Sequence, residues 1–130
     1  MVFTQAIASG FSNYVNFSGR SGRSEYWYWV LFNMLAYIGI FVIGLVLSLL
    51  FGEIFGIVTM VAYVGFALAA LIPSFAVMIR RFHDLDKSGW WWLVNFIPFV
   101  GALAFLYFMV QPSDEEDNRF GSVPEPGVPA

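Results

Sequence analysis

The sequence predicts an all-α membrane protein, with three transmembrane helices preceded by an amphipathic helix lying in the membrane interface. Three observations predict it. Apolar residues make up 59% of the 130 residues and charged residues only 12%, about half the roughly 25% of an ordinary soluble domain. The six basic and nine acidic residues fall mostly into clusters separated by long uncharged runs, whereas a soluble domain this small needs polar groups to cover its large relative surface. All five tryptophans stand at the start of uncharged runs beside basic clusters. An indole, apolar with one N–H donor, prefers that level of a bilayer.

Residues 1–19 are too polar to span, with Thr4, Gln5, Ser9, Ser12, Asn13, Asn16 and Ser18. Yet Phe3, Ala6, Ile7, Gly10, Phe11 and Tyr14 recur at the spacing of one helical face, which reads as an interfacial helix. The alternative is a disordered tail, which the lack of Lys and Arg in the segment keeps open. The segment has neither the basic start nor the apolar core of a cleavable signal, so the first span is expected to act as its own insertion signal.

Residues 20–113 read as one transmembrane domain. Three uncharged runs, 26–52, 54–79 and 88–113, are each about 26 residues, roughly 39 Å as helix against a hydrocarbon core of about 30 Å. The expected spans are about 26–51, 55–79 and 89–111. Gly52 and Glu53 make a tight turn that sets the first two spans antiparallel. Gly44, Ser48, Gly52 and Gly56 recur every four residues, and Ala62, Gly65, Ala69 and Ala70 add small positions on the second span. Small residues let helices approach closely in lipid. Pro73 and Pro98 are expected to kink the second and third spans, or to sit where neighbouring groups satisfy the freed carbonyls.

Orientation follows from the basic residues. Arg20 and Arg23 precede the first span; Arg80, Arg81 and Lys87 lie between the second and third; the tail holds only Arg119. Cytoplasmic loops carry the excess of Lys and Arg, so the N-terminus is expected in the cytoplasm and the acidic tail from Asp114 outside. Residues 114–130, acidic and then rich in Pro and Gly, have little to bury and are expected to be disordered. Trp27, Trp29, Trp91 and Trp92 are the expected interface anchors.

Three polar motifs bracket the apolar runs: Phe17-Ser-Gly-Arg20-Ser-Gly-Arg23-Ser-Glu25-Tyr26-Trp27, then Arg80-Arg81-Phe-His83-Asp84 followed by Ser88-Gly89-Trp90-Trp91, then Asn118-Arg119-Phe120-Gly121. In this order, from about Tyr14 to Gly121, they resemble the DUF805 family of small bacterial inner-membrane proteins, which has no assigned activity. The Arg-Arg-x-His-Asp with Ser-Gly-Trp-Trp is the most specific part. The resemblance implies a multi-pass protein of the bacterial cytoplasmic membrane. It draws attention to Gly19, Arg20, Arg23, Glu25, Tyr26, Trp27, Arg80, Arg81, His83, Asp84, Ser88, Gly89, Trp90 and the four residues of the third motif.

The first two motifs are expected on one side of the membrane, so Arg20, Arg23 and Glu25 can reach Arg80, Arg81, His83 and Asp84, with Trp90 a further candidate binding residue on that face. One reading is a clamp, with guanidinium–carboxylate pairs tying the helix ends together. A second is binding of anionic phospholipid, each basic group near the headgroups contributing about 1 kcal/mol. A third is a small enzyme or proton-linked transporter using His83 and Asp84. One His and no Cys make no ordinary zinc site, Walker and dinucleotide glycine loops are absent, and no Asp or Glu lies inside a span to mark an ion path. No cofactor and no nucleic acid is implied. The leading expectation is a non-enzymatic membrane component that binds a partner protein or anionic lipid through its cytoplasmic Arg/His/Asp/Trp face, with homo-oligomers a further option.

Overall fold

A computed structural model describes residues 2–114 and 116–124 of the chain. Four α-helices and one 3-10 helix follow in order: α1 (Phe3–Ser12), α2 (Arg23–Phe51), α3 (Ile54–Asp84), the 3-10 helix (Gly89–Phe96) and α4 (Val100–Val110).

The uncharged runs dictate the two long helices. α2 and α3 have 29 and 31 residues and, among the described residues, are the two helices long and apolar enough to cross a membrane. Within the most apolar 18-residue window of each, only 6% is buried. A core helix of a soluble protein would be mostly covered. Here Leu49, Leu50, Met60 and Leu68 point outward at 66–77% exposure, a continuous apolar surface that water does not tolerate and lipid does. Gly52 joins the two helices at φ 109°, in the left-handed region that glycine enters without steric cost. Gly44 then packs directly on α3, where a Cβ would overlap the Thr59 side chain, and Gly56 lies opposite Ser48. Part of the small-residue stripe thus forms the α2–α3 contact, while Gly65 has nothing within 4 Å of a Cβ position.

α1 lies on α2 through Ala6, Ser9 and Gly10, all buried. Gly10 abuts the Trp29 indole so closely that any Cβ would overlap it. Phe11 makes edge contacts with Trp29 and Phe32. Trp29, one of the expected interface anchors, is 2% exposed. Its indole N–H donates to Ser74 Oγ at 2.9 Å, so an intramolecular hydroxyl takes the place of the headgroup layer.

Pro73 lies inside α3. Lacking an N–H, it leaves the carbonyl of Ala69, four residues back, without its helical donor. The Tyr14 hydroxyl, from the loop after α1, donates to that carbonyl. An open carbonyl at membrane depth is costly, and the tyrosine closes it.

The third apolar run, expected from the sequence as a span over about 89–111, is not one continuous helix. It is two short limbs joined at Ile97–Phe99. Pro98 pushes the preceding residue toward extended backbone, and Ile97 has φ −83° and ψ 116°. The 8-residue 3-10 limb and the 11-residue α4 are each about 16 Å long at their respective rises, half a hydrocarbon core of about 30 Å. Gly101 seats one limb on the other, where a Cβ would overlap the Val94 carbonyl. Gly89, at the start of the first limb, packs on Ile79. At the far end of the second, the Met109 carbonyl accepts from Trp27 Nε1 at 2.9 Å. Both ends of the hairpin therefore return to the same end of the α2–α3 pair. The described part of the tail packs on this end; residues 125–130, included in the expectation of disorder, lie outside the described residues.

If Tyr14 closes the gap made by Pro73, Tyr14→Phe costs about 1–2 kcal/mol in detergent unfolding. In a Pro73→Ala background, where residue 73 regains its N–H, the same change costs close to nothing. Equal costs in both backgrounds would refute the pairing.

Candidate functional site

The last turn of α3 projects beyond the apolar stretch and carries Arg80, Arg81, His83 and Asp84, all buried. Their burial comes from three segments that wrap this helix end: the 13–22 loop, the start of α2, and the chain after α4. The loop is registered on α3 by Ser21 N–H donating to the Arg80 carbonyl at 3.0 Å.

Arg20 is 2% exposed and all five of its N–H donors are used. Nε donates to Asp84 Oδ1 at 3.1 Å, Nη1 to the carbonyls of Glu116 and Gly121, and Nη2 to those of Asp84 and Asp114. Arg80 Nε donates to Ser21 Oγ at 2.9 Å, Nη1 to the carbonyls of Asn13 and Asn16, and Nη2 to Glu25 Oε1 at 3.3 Å. Arg81 Nη1 donates to Asp84 Oδ2 at 2.7 Å and Nη2 to the carbonyls of Met109 and Gln111. Asp84 thus sits between two guanidinium groups, with Ser113 Oγ donating to Oδ2 at 2.6 Å. Glu25, in the first turn of α2 where the helix dipole favours an anion, also accepts from Ser9 Oγ at 2.6 Å.

Burial pushes the Asp84 carboxyl up from its ordinary value, while the Ser113 hydroxyl and the charges of Arg81 and Arg20 pull it back. Burial likewise lowers Arg80 and Arg81 from the usual arginine value, against the pull of Glu25 and Asp84 respectively.

His83 is held differently. Its Nδ1 lies 2.9 Å from the Gly19 carbonyl, an acceptor, so Nδ1 carries the proton. Its ring stacks on Phe120 at 3.9 Å between centroids and 2° between planes. Phe120 is presented by a tight turn in which Asn118 and Gly121 exchange backbone hydrogen bonds at 3.0 Å, with Gly121 at φ 134°. Asn118 Nδ2 donates to the His83 carbonyl at 3.0 Å. Burial pushes the imidazole below the usual histidine value; the Gly19 carbonyl opposes this, and the charges of Arg119 and Arg80 add to it.

α3 ends in a Schellman motif. Lys87 N–H donates to the Phe82 carbonyl and Asp86 N–H to that of His83, with Asp86 in the left-handed conformation at φ 56°. Arg119 pairs with Asp86 at 3.3 Å on the exposed rim.

The structure therefore brings Arg20, Glu25, Arg80, Arg81, His83 and Asp84 together and sets the remaining candidates apart. Arg23 is exposed and donates one bond, to the Val110 carbonyl. Trp90 is 73% exposed and Trp91 45%; Trp92 packs on Phe75 and Phe96. The His83–Asp84 pair needed for acid–base chemistry is not joined: the imidazole proton goes to a carbonyl, and the carboxylate is held by two arginines and a serine. Among the described residues no group of three or more His, Asp or Glu is placed to hold a metal ion. Ser9, Ser21 and Ser113 are partners that sequence reasoning missed. Ser9 shares a helical face with Ala6 and Gly10, a usable signal, whereas Ser113 reaches Asp84 only because the hairpin folds back.

A family model described as "Protein of unknown function (DUF805)" matches residues 14–122. Inner membrane protein YhaH of Escherichia coli strain K12 is 40% identical over 118 residues, covering 87% of this chain and 90% of that protein. Inner membrane protein YhaI of the same strain is 39% identical over 125 residues, covering 95% and 98%. No solved structure matches.

Removing one partner of a buried ion pair strands the other's charge. Arg20→Gln is accordingly expected to lower unfolding stability in detergent by about 3–5 kcal/mol, and Arg119→Gln, on the exposed rim, by about 1 kcal/mol or less. Similar losses from both would refute the buried clamp. His83 has a folded value below its ordinary one, so its contribution is complete at neutral pH and is lost as pH falls below the ordinary histidine value. Between pH 7.5 and 5, wild type should lose thermal stability more steeply than His83→Gln; parallel curves would assign the acid sensitivity to other groups.

Proposed function

The chain belongs to the DUF805 family and is an integral inner-membrane protein, and we propose that it acts there as a non-enzymatic component. In this reading a rigid polar cap on the α2–α3 hairpin is presented to a partner protein on the cytoplasmic side. One observation carries the reading: the guanidinium groups of Arg20, Arg80 and Arg81 are buried and donate to carbonyls, carboxylates and a hydroxyl of this same chain. They act as a clamp, which leaves recognition to the outer rim.

That rim carries Arg23, Trp90, Arg119, Glu116 and Asp117, a mixed-charge edge around an exposed indole. Tryptophan and arginine are the residues that most often anchor protein interfaces. Binding of anionic phospholipid by the whole arginine cluster is less favoured, because three of its arginines are enclosed. Two crossings and a hairpin that enters and leaves on the cap side also suit the charge distribution. All six basic residues then lie on one side, and the α2–α3 turn carries only Glu53, which supports a cytoplasmic cap.

Single cysteines test the topology: Glu53→Cys is expected to label from outside intact cells, and Ser122→Cys only after permeabilisation. Outside labelling at 122 would overturn the one-sided arrangement. A photo-crosslinking residue at position 90 is expected to give a discrete protein adduct that weakens on Arg119→Glu, with the same residue at Leu49 giving lipid adducts alone. Lipid adducts alone at both positions would refute the partner-binding reading.

A further inference from the structure

Lys87 stands at the point where α3 has ended and the hairpin begins. Its ammonium lies 5.2 Å from the centroid of Trp91 and 5.3 Å from that of Phe108, one ring from each limb. Desolvated cation–π contacts hold a cation in place without using its N–H donors. Among the described residues no carboxylate lies within ion-pair distance of Lys87. A positioned, half-buried cation is thus left with donors to give.

These donors face a cleft of about 370 Å³ lined by Lys87, Tyr107, Gln111 and Asp114, among others. Asp114 is fixed on the wall by its backbone: its N–H donates to the Asp84 carbonyl at 3.1 Å, and its carbonyl accepts from Arg20 at 2.9 Å. The buried clamp therefore fixes the backbone that carries this carboxylate. Below the cleft, the outward face of α4 is apolar and uncovered, with Leu103 at 70% and Leu106 at 49% exposure. The cleft lies where that face ends and the polar cap begins, the depth of phospholipid headgroups.

We propose that this cleft binds the headgroup of a zwitterionic aminophospholipid. The phosphodiester pairs with the Lys87 ammonium, and the lipid's primary ammonium donates to the Asp114 carboxylate. The Tyr107 hydroxyl and the Gln111 amide supply neutral hydrogen bonds, and the acyl chains run down the open face of α4. Charge decides between headgroups. A net anion meets Lys87 favourably but is repelled by Asp114. A quaternary ammonium has no N–H to give to Asp114, and the aromatic pair that would otherwise cradle it is occupied by Lys87. A primary ammonium on a phosphodiester satisfies both walls. The site is separate from the protein-binding rim proposed above and stands or falls independently of it.

Native mass spectrometry of the full chain in detergent, with equal mole fractions of phosphatidylethanolamine, phosphatidylcholine and phosphatidylglycerol, tests the site. Wild type is expected to retain phosphatidylethanolamine about fivefold over phosphatidylcholine, the discrimination of one headgroup contact. Lys87→Met, which keeps the apolar stem between the rings, should lower retention of all three. Asp114→Asn should abolish the preference for phosphatidylethanolamine and raise retention of phosphatidylglycerol. Both positions are partly exposed, and melting temperatures close to wild type establish that the variants are folded. Equal retention of the three lipids by wild type, or unchanged retention in folded Lys87→Met, would overturn the proposal.

Discussion

Three guanidinium groups buried at one end of a two-helix hairpin are the constraint on which the rest of the structure depends. Moving an ion out of water costs several kcal/mol even after relaxation, and attraction to a counter-ion offsets this only when the remaining donors are also satisfied. Two carboxylates, Glu25 and Asp84, cannot satisfy three guanidinium forks. Backbone carbonyls supply most of the balance: Asn13 and Asn16 from the loop after α1, Met109 and Gln111 from the end of α4, Asp114, Glu116 and Gly121 from the tail, with Arg81 Nε the buried donor left over among the described residues. These carbonyls belong to irregular chain and to a helix C-terminus, which lack intrahelical donors of their own. The arginines need acceptors and the irregular segments need donors, so each requirement meets the other, and every peripheral segment is held to the end of α3.

The same requirement shapes the hairpin. A continuous third helix would carry Met109 and Gln111 to the far side of the bilayer, out of reach of Arg81. The Pro98 turn brings them back, and Gly101 lets the limbs close on each other. Trp27 and Arg23 of α2 then reach the carbonyls of Met109 and Val110. Short limbs at the cap also explain why Lys87 can touch rings from both limbs at once.

The two helices of membrane length were legible in the sequence, because a run of about 26 uncharged residues has few other physical uses. The Gly44 and Gly56 contact was legible for the same reason that small residues matter in lipid. The third run had the same length and composition as the other two, and apolar content does not distinguish a crossing from a hairpin that returns. Pro98 was the available signal, but proline kinks and proline turns read alike without knowing where the chain goes next. Basic-residue placement did not resolve it either, since only Arg119 lies beyond the run. The polar cluster was visible as a set of residue types, including the joining of the first two motifs, yet its closure by Asn118–Gly121 depended on the tail being on the same side. Trp29 illustrates a related limit: a tryptophan's position along a helix indicates its depth, while the side it faces depends on α1, whose Gly10 makes room for it.

The tie between Arg20 and Gly121 spans a separation of 101 residues, and it has a consequence for biogenesis. The helical hairpin of α2 and α3 is complete long before the ribosome reaches the last motif. During that interval Arg20 and Arg81 lack most of their final acceptors, and a guanidinium without acceptors is costly to take out of water. Closure is thereby deferred until the last motif has been made, and a chain cut short before Phe120 would leave His83 without its stacking partner. Such a product would expose the end of the α2–α3 hairpin that the last motif otherwise covers.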